Sequence, residues 1–296
     1  GSGLAEGHAV SSHSVGQGGL AAAADIEIKV NDTTSATYSN GVLTVNGVKF
    51  DVTVPATATQ GDTVEITVTP QNMLNSAIKV GLSVDGTQKT VLEFSANQKQ
   101  TLGYTLTAVT SDVTLTFDHM VALNVPYVGS LKATPAGGSD INAGSSADVA
   151  VGTVVTLSGE DAYFLVDGEY VNANTNGTFT MAADTTIAAD KYAKVVADVN
   201  TSGASNITAG DITASADKEY VKASEAITIT FTLSEDFDTN GRAVNNQSAV
   251  SDSTNFASGS EEFVSSGKAL THGTDTVTPS TITSATLNIT YTLTNA

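Results

Sequence analysis

The chain has 296 residues, with 31 Asp and Glu against 12 Lys and Arg and no cysteine. A formal charge of −19 repels phosphate backbones and anionic lipid surfaces, so nucleic acid is not an expected partner. The missing thiols exclude disulfides, a cysteine nucleophile and Cys-ligated metal.

Thr, Ser, Val, Gly and Ala dominate, and the long Leu, Glu and Lys runs that support helices are missing, which predicts an all-β chain. No run approaches the roughly 20 apolar residues of a membrane span, so membrane insertion is not expected.

Residues 1–25 lack strand periodicity and read as a flexible arm. A first module is expected over residues 26–120. It opens with Ile26, Ile28 and Val30 at period two, on one face of a strand. Asn40-Gly41 and Asn46-Gly47 bracket Val42–Val45 and supply the positive φ of type I′ hairpins. Short alternating strands then recur every ten residues or so up to Phe117, the pattern of an immunoglobulin-like β-sandwich.

The second module, residues 121–193, repeats the grammar of the first. Gly61-Asp62-Thr63-Val64-Glu65-Ile66, Val84-Asp85-Gly86, Gly103-Tyr104-Thr105-Leu106 and Asp112 before Val113–Phe117 make up one copy. Gly152–Leu157, Val166-Asp167-Gly168, Gly177–Met181 and Asp184 before Thr185–Ile187 make up the other. The third module, residues 194–296, echoes the strand after Gly61 in Ser224–Phe231 and closes with Ala285–Leu293. Ser248–Ser260 between them is small and polar, and reads as a long loop. The expected architecture is therefore tandem immunoglobulin-like β-sandwich or related β-repeat modules behind a flexible N-terminal arm.

Leu131–Gly138, Val151–Leu157, Gly177–Met181 and Asp184–Ile187 resemble the β repeats of bacterial extracellular surface proteins, including internalin-type B repeats. The Gly-Trp that such repeats usually carry is replaced here by Ala162-Tyr163-Phe164-Leu165. The resemblance implies an extracellular multi-module protein without enzymatic activity of its own.

One segment suggests a cation. Asp236, Asp238 and Asn240 fit the first half of a calcium loop, with the Arg242 carbonyl as a further oxygen and Gly241 at the bend. Gln247 stands where a bidentate Glu is expected. The alternative is an Asn-Gly hairpin with acidic flanks. His8, His13, His119 and His272 are scattered and read as surface residues, and Glu160-Asp161 and Glu261-Glu262 fall in expected loops.

These features point to a secreted structural subunit of a self-assembling cell-surface layer or extracellular filament, a homopolymer joined by exchange of the strand Ile26–Val30. The alternatives are that this strand pairs within its own module, or that the chain is a surface adhesin recognising a glycan or protein.

Overall fold

The computed structural model describes residues 25–203, 208–234, 243–250, 259–266, 269–270 and 273–295. All regular structure among them is β, in several sheets dominated by antiparallel pairs. The first ten strands are β1 (Asp25–Asn31), β2 (Ala36–Ser39), β3 (Val42–Val45), β4 (Val48–Thr53), β5 (Thr57–Thr59), β6 (Val64–Pro70), β7 (Ile78–Val84), β8 (Thr87–Phe94), β9 (Leu102–Leu106) and β10 (Val113–Asn124). Alternation builds them: β1 buries every second residue, and Ile26, Ile28 and Val30 join Phe50, Ile66, Leu82, Leu115 and Phe117 in one core.

In this first repeat β1 lies between β5, antiparallel, and β10, parallel. β10 pairs onward with β7 and β7 with β8, while β4, β6 and β9 form a second antiparallel run. β2 and β3 extend that run beyond β4. Their turns are those expected of Asn-Gly: Asn40 and Gly41 sit at φ 48° and 79°, and Asn46 and Gly47 at 49° and 75°.

The chain continues through β11 (Lys132–Pro135), β12 (Ile141–Asn142), β13 (Ser146–Ala150), β14 (Val154–Ser158), β15 (Tyr163–Val166), β16 (Glu169–Asn172), β17 (Thr178–Thr180), β18 (Thr185–Thr186) and β19 (Tyr192–Gly203). The pairing order of the first repeat recurs here. The end of β10 pairs with β13 and β18, β15 pairs with β16 and β19, and β14 pairs with β11 and β17. Asp167 and Gly168 form the β15–β16 turn at φ 48° and 80°, matching Asp85 and Gly86 at 50° and 84°.

The last strands are β20 (Ile212–Ala216), β21 (Tyr220–Lys222), β22 (Ile227–Leu233), β23 (Ala243–Val250), β24 (Gly259–Ser266), β25 (Ala269–Leu270), β26 (Thr274–Val277) and β27 (Thr286–Asn295). The order returns a third time. β19 lies between β21, antiparallel, and β27, parallel. β27 pairs with β23 and β23 with β24, while β22 pairs with β20 and β26. Ile227, Ile229, Leu287, Ile289, Tyr291 and Leu293 are buried at this core.

One turn marks the three repeats most sharply. Gly61 N–H donates to the Val109 carbonyl, Gly152 N–H to Met181, and Ser224 N–H to Pro279. These residues sit at φ 90°, 90° and 69°, so the third repeat holds a serine in the left-handed region where the first two use glycine. An acid caps the turn in two of them: Asp62 Oδ2 accepts from Thr59 N–H, and Glu225 Oε1 from Lys222 N–H.

Packing separates two compact units, one of residues to Leu123 with Ser146–Val154 and Thr180–Thr185, the other of Asn124–Ser145, Val155–Phe179 and Thr186 onward. The boundaries expected near residues 120 and 194 fall inside β10 and β19, each a single strand of 12 residues. Three smaller expectations need correction. Asp25, placed in the arm, begins β1, because its backbone pairs with Thr59. The expected loop Ser248–Ser260 is bounded by strand: Ser248–Val250 close β23 and Gly259-Ser260 open β24, paired at Ser248↔Gly259. Glu261 and Glu262 likewise lie in β24, opposite Asn246 and Asn245, since backbone pairing and not side-chain polarity decides the strand here.

Candidate assembly site

Three alternate side chains of β1 are sunk into the first core: Ile26 is 2%, Ile28 1% and Val30 0% exposed. The slot that holds them has two walls. Ile28 N–H donates to Ala56 O at 2.9 Å beside β5, and Ile28, Lys29, Val30 and Asn31 stand opposite Val113, Leu115 and their neighbours on β10. At its mouth, Asp112 Oδ1 accepts the Glu27 N–H at 2.9 Å. Beyond Asn31 the connection to β2 is pinned to β10: Thr33 Oγ1 donates to Phe117 O at 2.7 Å, and Ser35 Oγ to Asp118 Oδ1 at 2.9 Å.

The same slot recurs at the head of the other repeats. Asp184 Oδ1 accepts from Ala122 N–H at 2.8 Å, as Asp112 does from Glu27. In the third repeat Ala285 stands at the equivalent position, directly before the paired strand, and its carbonyl accepts from Lys194 N–H at 2.7 Å. Only the origin of the entering strand differs. In the second and third repeats it is the run-on of β10 and β19; in the first it is β1.

Side chains beside the two run-on strands also differ. Lys79 faces Met120 of β10, and its ammonium donates to Asp148 Oδ1 at 2.9 Å, with Glu93 at 3.8 Å. Asp148 beside it holds the Lys79 amine above its usual range. Tyr163 faces Tyr192 of β19 and packs edge-on against Tyr220, ring centroids 5.0 Å apart. Tyr170 stacks on Tyr220 at 4.0 Å and meets Tyr192 edge-on at 5.0 Å. Asp148 and Tyr220 occupy the same place in their repeats, four residues before Gly152 and Ser224. Burial pushes the Tyr192 and Tyr220 hydroxyls up.

A groove of about 470 Å³ lies in the first unit, lined by Asn46, Gln71, Met73, Ile78 and His119 among others. Met73 is 66% exposed there. Burial lowers the His119 imidazole below its ordinary value, against the pull of the Asp184 carboxylate. In the second unit Glu160 is structural: burial raises its pKa, but the Ser130 N–H and the Lys191 ammonium at 3.0 Å outweigh that and leave it low.

Asp236, Asp238, Asn240 and Arg242 lie outside the described residues, as do His8, His13 and His272. Gln247 falls in β23, in register with Ser260 and Thr292. Among the described residues no cluster of three His, Cys, Asp or Glu could hold a metal ion. The alternation of Ile26, Ile28 and Val30 marks the strand that fills the slot, and in this structure that strand pairs within its own module, the alternative to exchange; the matched positions Asp112 and Asp184 make the same kind of bond. Sequence reasoning missed the tyrosine cluster, whose members come from four strands and meet only in the fold. No family model, curated protein or solved structure matches the chain.

Proposed function

We propose that this protein is a secreted structural subunit of a self-assembling cell-surface layer or extracellular filament, built from tandem immunoglobulin-like β-sandwich repeats and joined copy to copy by the strand that carries Ile26, Ile28 and Val30. The observation that supports this reading is β1, whose three buried side chains fill a slot between β5 and β10; in this structure the chain's own strand occupies the slot, and its exchange between copies is the proposal. Burial of its three apolar side chains contributes about 1.5–3 kcal/mol each, and the flanking main-chain bonds fix its register. A joint of that strength, repeated along a polymer, needs no cofactor and no chemistry.

The resemblance of Leu131–Ile187 to extracellular β repeats supports the location, and the acidic surface keeps free subunits soluble. Calcium at Asp236, Asp238 and Asn240, with the Arg242 carbonyl and Gln247, would serve only to stiffen the third repeat. The test is electron microscopy with sedimentation velocity on the full chain across concentration, with and without calcium. Filaments or sheets support the reading. A strictly monomeric chain that binds a glycan or protein would favour the adhesin instead.

A further inference from the structure

We propose that the groove of the first unit, formed by the β6–β7 loop, the β3–β4 turn and His119, binds a neutral saccharide. The site goes beyond the assembly reading and does not depend on it, because none of its lining residues lies on β1 or β5.

The groove is held in shape by the fold. Gln71–Ala77 joins β6 to β7, and its start is pinned to β4: Gln71 N–H donates to the Lys49 carbonyl at 3.0 Å and Gln71 Nε2 to Asp51 Oδ1 at 2.9 Å. Its middle is pinned as well. Leu74 is buried, donates its N–H to Gln98 O at 3.1 Å and accepts from Asn97 N–H at 2.7 Å. The Asn46-Gly47 turn, Ile78 and His119 complete the lining. The main chain of His119 is fixed by its N–H, which donates to Ser35 Oγ at 2.9 Å, and by its carbonyl, which accepts from Val151 N–H at 2.9 Å. A site ordered in this way loses little freedom on binding. Its volume of about 470 Å³ is that of a small-molecule site. A second hollow of about 400 Å³ shares Asn46, Ile78 and His119 with it and lengthens the space open to a ligand.

The lining selects the ligand. Acidic residues outnumber Lys and Arg by 31 to 12 in the chain, yet among the described residues the larger hollow has no Asp or Glu and a single Lys or Arg, Lys49. A cation therefore finds no carboxylate there. An anion meets one exposed ammonium against the field of a chain charged −19. What remains is uncharged. Asn46, Asn72 and Asn75 are exposed, and each carboxamide offers two donors beside an acceptor oxygen. No hydrogen bond acts on the His119 imidazole among the described residues, and burial holds its pKa below the ordinary value, so near pH 7 the ring presents one donor and one acceptor. Met73, 66% exposed, sets a soft apolar side chain among these groups. Donors and acceptors side by side match the vicinal hydroxyls of a sugar ring, and the thioether matches its C–H face. A peptide offers similar groups but is held through a free strand edge. The strands that reach this groove, β4, β7 and β10, each have partners on both sides.

The test is saturation-transfer NMR on the full chain, which reads ligand binding to a monomer or a polymer alike and so stays separate from the outcome of the assembly experiment. The probes are the neutral trisaccharides maltotriose, cellotriose, mannotriose and tri-N-acetylchitotriose, with trigalacturonic acid as the anionic comparison. The expected dissociation constant is on the order of 1 mM, because the site is half open and has no stacking ring. At least one neutral probe should bind. Asn75→Ala and Met73→Ala, both on the exposed loop, should each weaken it about fivefold, the ratio that one hydrogen bond or contact of average worth commands. Tyr127→Ala, which removes a 90% exposed ring of the other unit, should leave it unchanged. Thermal melts of the loop variants should match the parent, and Asn72→Ala replaces either one that does not. Three results would overturn the proposal: no neutral probe binds at about 10 mM, tenfold the expected constant; only the uronate binds; or binding persists undiminished in the loop variants.

Discussion

β10 and β19 do the same job in this chain with opposite chemistry. Each runs from the end of one repeat into the start of the next, and each is flanked by a pair at matching positions. Beside β10 the pair is Lys79 and Asp148, an ion pair with its lysine more than a third exposed. Beside β19 it is Tyr163 and Tyr220, extended by Tyr170 and Tyr192 into a cluster of four rings. Exposed ion pairs are screened by salt and contribute little, whereas packed rings add burial and quadrupole complementarity that salt does not touch. One topology therefore tolerates two kinds of reinforcement, and the difference is open to experiment.

The largest effect is expected at the aromatic side. Tyr220→Ala removes contacts to both Tyr163 and Tyr170 and should cost about 2–3 kcal/mol in the unit that contains them. Urea denaturation followed by tyrosine fluorescence measures this, since the chain has no tryptophan. A loss that shrinks in high salt would contradict the aromatic account.

The next effect sharpens the equivalence of the repeats. Ser224 bears a side chain at φ 69° where Gly61 and Gly152 bear none, so Ser224→Gly should stabilise the third repeat by about 1 kcal/mol. Gly61→Ser should destabilise the first by a similar amount. Open space around the Gly61 position leaves backbone conformation as the only cost. Thermal melts of both variants would show whether the two changes have opposite signs.

At the ionic side, Lys79→Met should cost less than about 1 kcal/mol, and the loss should vanish at high salt. A salt-independent loss would mean that the lysine stem, not its charge, supports β10.

The smallest effect is a pH dependence near the same strand. Burial depresses the His119 pKa below 6.5, so folding favours the neutral ring. That contribution is present above pH 6.5 and is lost as pH falls through the folded value. Stability of the first unit measured against pH should decline in this window, and His119→Gln should remove that part of the slope.

Strand chemistry was legible in the sequence wherever alternation and turns cooperate. Ile26, Ile28 and Val30 lie on one buried face, Asn40-Gly41 and Asn46-Gly47 form tight turns, and the matched positions Gly61 and Gly152 make the same hydrogen bond. The third repeat was recognised by the echo of the Gly61 strand in Ser224–Phe231, but residue type gives no sign that Ser224 takes the left-handed conformation of Gly61 and Gly152. Ser248 and Glu261 were misread for a related reason: polar side chains disguise strands whose pairing is made by the backbone. The run of β10 and β19 through expected boundaries had no local signal, because a strand that serves two repeats looks the same as one that serves either. Long-range partners such as Lys79–Asp148 and Tyr163–Tyr220 are set by topology, and no spacing along the chain announces them.

The most direct test is a three-dimensional reconstruction of the assembled protein, read at the connection Asp32–Ser35. Density that leads from the strand between β5 and β10 of one copy into β2 of a different copy is the result this account predicts. Density that returns to β2 of the same copy at every subunit would contradict it.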